Sequence, residues 1–144
     1  MNRKADSKLV RNLFYRLPVL LYCALIYIQS SFPGVAGIEP PFSGFDKVLH
    51  FAGYSLLGVL TLRALLREDL SVSPSVLAGI AVVFCTLYGL SDEIHQSFVS
   101  GRSCEALDLL ADAAGGAVGA YVYLTLKGPA RKTGRKTHIH EGES

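Results

Sequence analysis

Leu90-Ser-Asp-Glu-Ile-His-Gln-Ser-Phe-Val-Ser-Gly-Arg102, running on to Asp108 and Asp112, sets carboxylates, an imidazole, an amide and a guanidinium between two long apolar runs. A loop in water could carry that density of charge at no cost. Between two membrane spans it demands partners or a use, because ionisable groups near the bilayer are expensive when left alone.

The flanks have the length of spans. Half of the 144 residues are hydrophobic, and they are gathered into blocks of about 18–21 residues, enough to cross a hydrocarbon core, rather than broken into amphipathic pieces. The blocks cover about 13–31, 47–66, 72–90 and 106–126. They predict an all-α fold, an integral membrane bundle of four transmembrane helices over 13–126. A basic N-terminus (1–12) precedes it, and a polar tail (127–144), with little to bury, reads as disordered.

Between the blocks the punctuation agrees. Arg16 near the start of the first block can snorkel to the headgroups, and Pro18 is tolerable in a first helical turn. Pro33, Gly34, Gly37, Pro40, Pro41 and Gly44 exclude a continuous helix over 32–45. Ser71 or Ser73 with Pro74 reads as a helix start. The third block carries no charge. In the fourth, Gly115 and Gly119 form a GxxxG with Ala111 one step earlier, a small-residue face that a neighbouring helix can approach closely. That face suits packing within the bundle, or a partner membrane protein. Cys23, Cys85 and Cys104 form no CxxC and read as small apolar side chains, with no disulfide. His138 and His140 in the tail read as solvated.

Lysine and arginine set the expected orientation. Of the 14 in the chain, five precede or open the first block, Arg63 and Arg67 flank the middle connector, and five lie from Lys127 onward. Only Lys47 and Arg102 belong to the opposite side. The positive-inside rule then places both termini and the middle connector in the cytoplasm and the other two loops outside. The basic tail is expected to lie against anionic headgroups. Asp46, Lys47 and His50 start the second span from the outer face, Asp92, Glu93, His95 and Gln96 end the third there, and Arg102, Asp108 and Asp112 lead into the fourth. In a four-helix bundle these stretches can converge on one pocket.

Spacing sharpens the set. Asp46 and His50, Asp92 and Gln96, and Asp108 and Asp112 are each four apart, and Asp92 and His95 three apart, so each pair shares a helix face. Asp112 sits about 6 Å deeper than Asp108 and most needs a partner, such as Arg102, Lys47 or a histidine. Three chemistries fit. Arg102 and Lys47 could hold a phosphate or carboxylate of a lipid-linked or cell-wall substrate while a His–Asp pair moves protons, with His50, Asp92 and His95 the catalytic candidates. Histidines and carboxylates could ligate a divalent metal, although no HExxH or other tight metal motif is present and no metal or other cofactor is assigned. Or the groups pair with one another and fix helix register. A channel or transporter is disfavoured, since the first and third spans carry no charge at mid-membrane.

Three stretches carry a resemblance: Phe45-Asp-Lys-Val-Leu-His-Phe-Ala-Gly-Tyr54, Asp92-Glu-Ile-His-Gln-Ser-Phe-Val-Ser-Gly-Arg102, and Asp108-Leu-Leu-Ala-Asp-Ala-Ala-Gly-Gly-Ala-Val-Gly119. In this order they resemble the VanZ-like family, small membrane proteins named for a teicoplanin-resistance determinant, over roughly residues 13–126. The resemblance implies a bacterial inner-membrane protein of about four helices. Its characteristic polar positions fall on Asp46, Lys47, His50, Asp92, Glu93, His95, Gln96, Arg102 and Asp108. Asp112 departs from the pattern, many relatives having asparagine there. The function expected is engagement of an envelope lipid or peptidoglycan-linked group by an outward polar pocket, lowering susceptibility to glycopeptides in some contexts. Membrane lipids and a cell-wall precursor are the expected partners, and no nucleic acid is. A scaffold binding a partner helix through Gly115 and Gly119, and an enzyme acting on lipid-linked substrates, are the alternatives.

Overall fold

In the computed structural model, which describes residues 3–33, 41–68 and 70–127, four helices follow one another: α1 Arg3–Ser30, α2 Phe45–Leu65, α3 Pro74–Gln96 and α4 Ala106–Lys127. There is no strand among the described residues. Each helix contains a stretch long and apolar enough to cross a membrane. The tail from 128 onward, with His138 and His140, lies outside the described residues, as does 34–40 of the first loop.

The ends of the helices follow local chemistry. Gly44 precedes α2 with φ of 85°, a left-handed conformation that costs other residues a Cβ clash. At α3, Ser73 caps: its Oγ accepts from the Val76 N–H at 3.3 Å, and Pro74 takes the first helical position, where no N–H is needed. Two boundaries differ from the sequence expectation. The apolar span is Leu13–Ser30, as expected, but helix α1 starts ahead of it at Arg3, so Pro18 lies in the interior of a 28-residue helix instead of its first turn. Its missing N–H leaves one carbonyl of the preceding turn without its helical donor, a defect that membrane helices accommodate through local adjustment. Helix α3 continues to Gln96, beyond the uncharged apolar block that ends at Leu90, because Asp92, Glu93 and Gln96 find room and partners inside the bundle.

Glycine sets the packing. Gly115 and Gly119 lie directly on the α2 backbone at Phe51 and Ser55, and Gly58 lies on Gly116; a Cβ at any of these would collide with main-chain atoms. Helices α2 and α4 are therefore in backbone contact, and the small-residue face of α4 is occupied by α2. A partner helix at Gly115 and Gly119 would have to displace it. Away from the polar end, Leu62, Leu77, Ala81 and Ala120 form the core shared by α2, α3 and α4. Leu20, Leu21, Leu25, Val83, Leu87, Leu110 and Tyr121 point outward, as expected where the surroundings are acyl chains rather than water.

Helix α1 is attached differently. Beside Tyr54, Leu57 and Cys85 it contributes Val19, Tyr22, Cys23 and Ile26, and polar clasps complete the seam. The Tyr22 hydroxyl donates to the Gly53 carbonyl at 3.1 Å, the Tyr88 hydroxyl to the Cys23 carbonyl at 2.6 Å, and Arg16 pairs with Glu68 at 2.8 Å.

Candidate functional site

The start of α2, the end of α3 and the start of α4 meet at one end of the bundle, and the sequence-selected polar residues meet there with them. They divide into three groups.

The first is centred on Lys47. Its ammonium lies 2.8 Å from Asp46, 2.7 Å from Glu105 and 3.1 Å from Asp108. The last is an ion pair without the alignment of a hydrogen bond. Lys47 holds the Glu105 carboxyl below the usual glutamate range, chiefly through that hydrogen bond. Glu105 was not among the residues expected from sequence. Its signal was available: it stands one residue before α4 and three before Asp108, where a carboxylate suits both the helix N-terminus and a neighbouring lysine.

The second group runs from Arg102 inward. The guanidinium donates twice to Gln96 Oε1, at 3.2 and 2.6 Å, and Gln96 Nε2 donates to Asp92 Oδ2 at 3.1 Å and to Ser30 Oγ at 3.3 Å. The expected Asp92–Gln96 pairing on one helix face is thus present. Arg102 does not reach Asp112, and no carboxylate lies within ion-pair distance of it among the described residues. An amide relays it to Asp92 instead.

The third group is the deepest. His50 Nδ1 lies 3.0 Å from Asp112 Oδ1 and 3.9 Å from Glu93 Oε1. Asp112 is 0% and Glu93 1% exposed. Of the partners expected for Asp112 it is the histidine that serves, and His50 turns to Asp112 on α4 rather than to Asp46 on its own helix. The reason for the depth is Gly89: a Cβ there would meet Asp112 Oδ2 and Cβ, at 2.5 and 2.9 Å. Glycine on α3 makes the space that the carboxylate fills. Glu93 Oε2 accepts the Glu105 backbone N–H at 2.8 Å, tying α3 to the start of α4.

His95 stands apart from Asp92. Its ring stacks on Tyr27 with centroids 4.5 Å apart, and Nε2 is 3.0 Å from Ser31 Oγ, so it fastens the end of α1. Ser30, Ser31 and Tyr27 were not singled out from sequence, because nothing in their spacing announces a contact across more than sixty residues.

Two cavities open on these groups. A cleft of about 60 Å³, room for a water or two, is bordered by His50, Tyr54, Asp92, Gln96 and Arg102. A larger one of about 200 Å³ is bordered by Asp46, His50, Gln96, Arg102, Glu105 and Asp108. His50 and Arg102 line both. The arrangement can hold an anion at Arg102, hold a cation among His50, Glu93 and Asp112, or pass a proton at His50.

Comparisons with curated proteins and with solved structures gave no significant match. The sequence model of the VanZ/LLP1 family matches residues 4–127, which takes in all four helices but for the first residue of α1, and the chain belongs to that family of membrane proteins.

Proposed function

We propose that the polar end faces outward from a bacterial cytoplasmic membrane and receives the anionic head of an envelope lipid or a peptidoglycan-linked group in its larger cavity. Arg102 carries this reading. Lys47 is shared by three carboxylates, whereas Arg102, half-buried between both cavities, is held by an amide alone and keeps donors for a ligand. A planar guanidinium so placed suits a phosphate or carboxylate bound through two parallel hydrogen bonds. The exposed apolar flanks of the helices suit the lipid tail. The outward orientation rests on the lysine and arginine asymmetry, and a link to teicoplanin susceptibility follows if the bound group is a cell-wall precursor.

Two measurements test it. Native mass spectrometry in detergent, with farnesyl diphosphate and phosphatidylglycerol as probes, should show a bound anionic lipid on the wild type and at least tenfold weaker binding (about 1.4 kcal/mol) on Arg102→Gln. Equal binding by both proteins overturns the site. Cys104 is exposed in the α3–α4 loop while Cys85 is buried, so a membrane-impermeant maleimide added to intact spheroplasts should label Cys104. Labelling only after lysis reverses the orientation.

A further inference from the structure

Among the described residues, two places have three acidic or imidazole donor groups with their ligand atoms within 4.8 Å of one another: Asp46, Glu105 and Asp108, and His50, Glu93 and Asp112. They differ in one respect. The first has a cation built in, the Lys47 ammonium. The second has none: no lysine or arginine is within ion-pair distance of Glu93 or Asp112 among the described residues.

From this we infer that His50, Glu93 and Asp112 form a binding site for a divalent transition-metal cation at the floor of the polar cavities. Charge, geometry and unused valence point the same way. With neutral His50 and both carboxylates ionised, the triad would carry two negative charges in the interior of a membrane bundle, which a dication cancels and a single proton on the imidazole does not. The donors come from three helices and are spaced closely enough that small side-chain rotations bring them to the roughly 2.0–2.2 Å that nitrogen and carboxylate ligands keep from zinc. Two oxygens there have no hydrogen-bond partner among the described residues: Glu93 Oε1, facing His50 Nδ1, and Asp112 Oδ2. A buried carboxylate oxygen left so is costly unless something supplies positive charge. The mixed set, one imidazole and two carboxylates, favours Zn²⁺ or Mn²⁺ over Mg²⁺ or Ca²⁺, which take oxygen ligands. Three protein ligands leave a coordination position open, and His50 borders both cavities, so water or an oxygen of a bound anion can complete the shell.

The inference stands apart from the lipid reading, since the triad does not include Arg102. The test uses the full chain purified in detergent without chelator, measured for bound metal, then stripped with EDTA and titrated with Zn²⁺, Mn²⁺ and Mg²⁺ while thermal unfolding is followed. Expected are close to one transition-metal ion per chain, a rise in Tm on adding Zn²⁺ or Mn²⁺ to stripped protein, and little response to Mg²⁺. Glu93→Gln and Asp112→Asn, which keep side-chain shape, should each weaken metal binding by roughly tenfold or more. Glu68→Gln, at the other end of the bundle, should not. Arg102→Gln should keep its metal while losing anionic lipid, which separates failure of this site from failure of the anion site. Folded wild-type protein with no stoichiometric metal and no Zn²⁺ or Mn²⁺ response overturns the site. So does metal binding that Glu93→Gln and Asp112→Asn leave unchanged.

Discussion

The same three helices meet twice, and the two meetings obey different rules. Toward one end α2, α3 and α4 pack through Leu62, Leu77, Ala81 and Ala120. Toward the other they pack through half-buried His50 and through Glu93 and Asp112, which are as buried as the apolar core. The apolar contact is non-directional and asks only for volume and shape. The polar contact asks for partners at defined distances, and even so leaves carboxylate oxygens unmatched. A bundle selected for stability alone would repeat the first solution, because a buried ion pair replaced by well-packed apolar side chains is often as stable or more so. The contrast teaches that one end holds the fold and the other is held by it. Between them runs the glycine seam of α2 and α4, on which both depend.

The largest effect is expected at the seam. Gly119→Leu forces a side chain into the Ser55 backbone and should cost roughly 3 kcal/mol or more, seen as loss of monodisperse protein in detergent. A Gly119→Leu protein with wild-type Tm would mean that α2 and α4 are not in backbone contact. Next come paired substitutions at the two ends, compared in chelator. Leu62→Ala leaves a cavity and should cost about 2 kcal/mol, the lower part of the usual range because the reference surroundings are lipid rather than water. With His50 neutral, Asp112→Asn removes a buried charge and keeps an acceptor for the ring, so it should stay within about 1 kcal/mol of wild type, or exceed it, while losing metal. If Asp112→Asn proves the more destabilising of the two, the polar end is structural and the distinction fails.

The smallest effect belongs to the half-exposed tie between Lys47 and Glu105. Because the folded-state Glu105 carboxyl is held below its unfolded value, its contribution is complete above the ordinary glutamate pKa and is lost as pH falls through the depressed value. Glu105→Gln should therefore lower Tm slightly at neutral pH and should match wild type in acid, and added salt should shrink the neutral-pH difference. A Glu105→Gln deficit that grows as pH falls would contradict the assigned direction.

Some of this was legible in residues taken singly. Four apolar blocks, Ser73 before Pro74, and the polar runs at 46–50 and 92–112 specify spans, a cap and one charged end, because span length and capping are local properties. The pairings were less legible. Asp46 and His50, or Asp92 and His95, share a helix face and invite pairing along it; yet His50 turns across to Asp112 and His95 to Tyr27 and Ser31. Spacing along a helix says which side chains can be neighbours, and not whether a better partner waits on the next helix. The apolar block stops at Leu90 while α3 runs on to Gln96, because a helix that buries its polar last turns need not end where its apolar block does.

By itself the sequence determined four membrane-spanning helices and the gathering of polar residues toward one end, since apolar length and polar position are both linear. Only the tertiary structure decided which charges are matched. Lys47 goes to three carboxylates, Arg102 to an amide, and Glu93 and Asp112 to a single imidazole. Gly89, unremarkable in the chain, is what lets Asp112 sit at the centre. Charge balance is a property of distances between helices, and those distances are set by where glycine lets backbones and buried side chains approach.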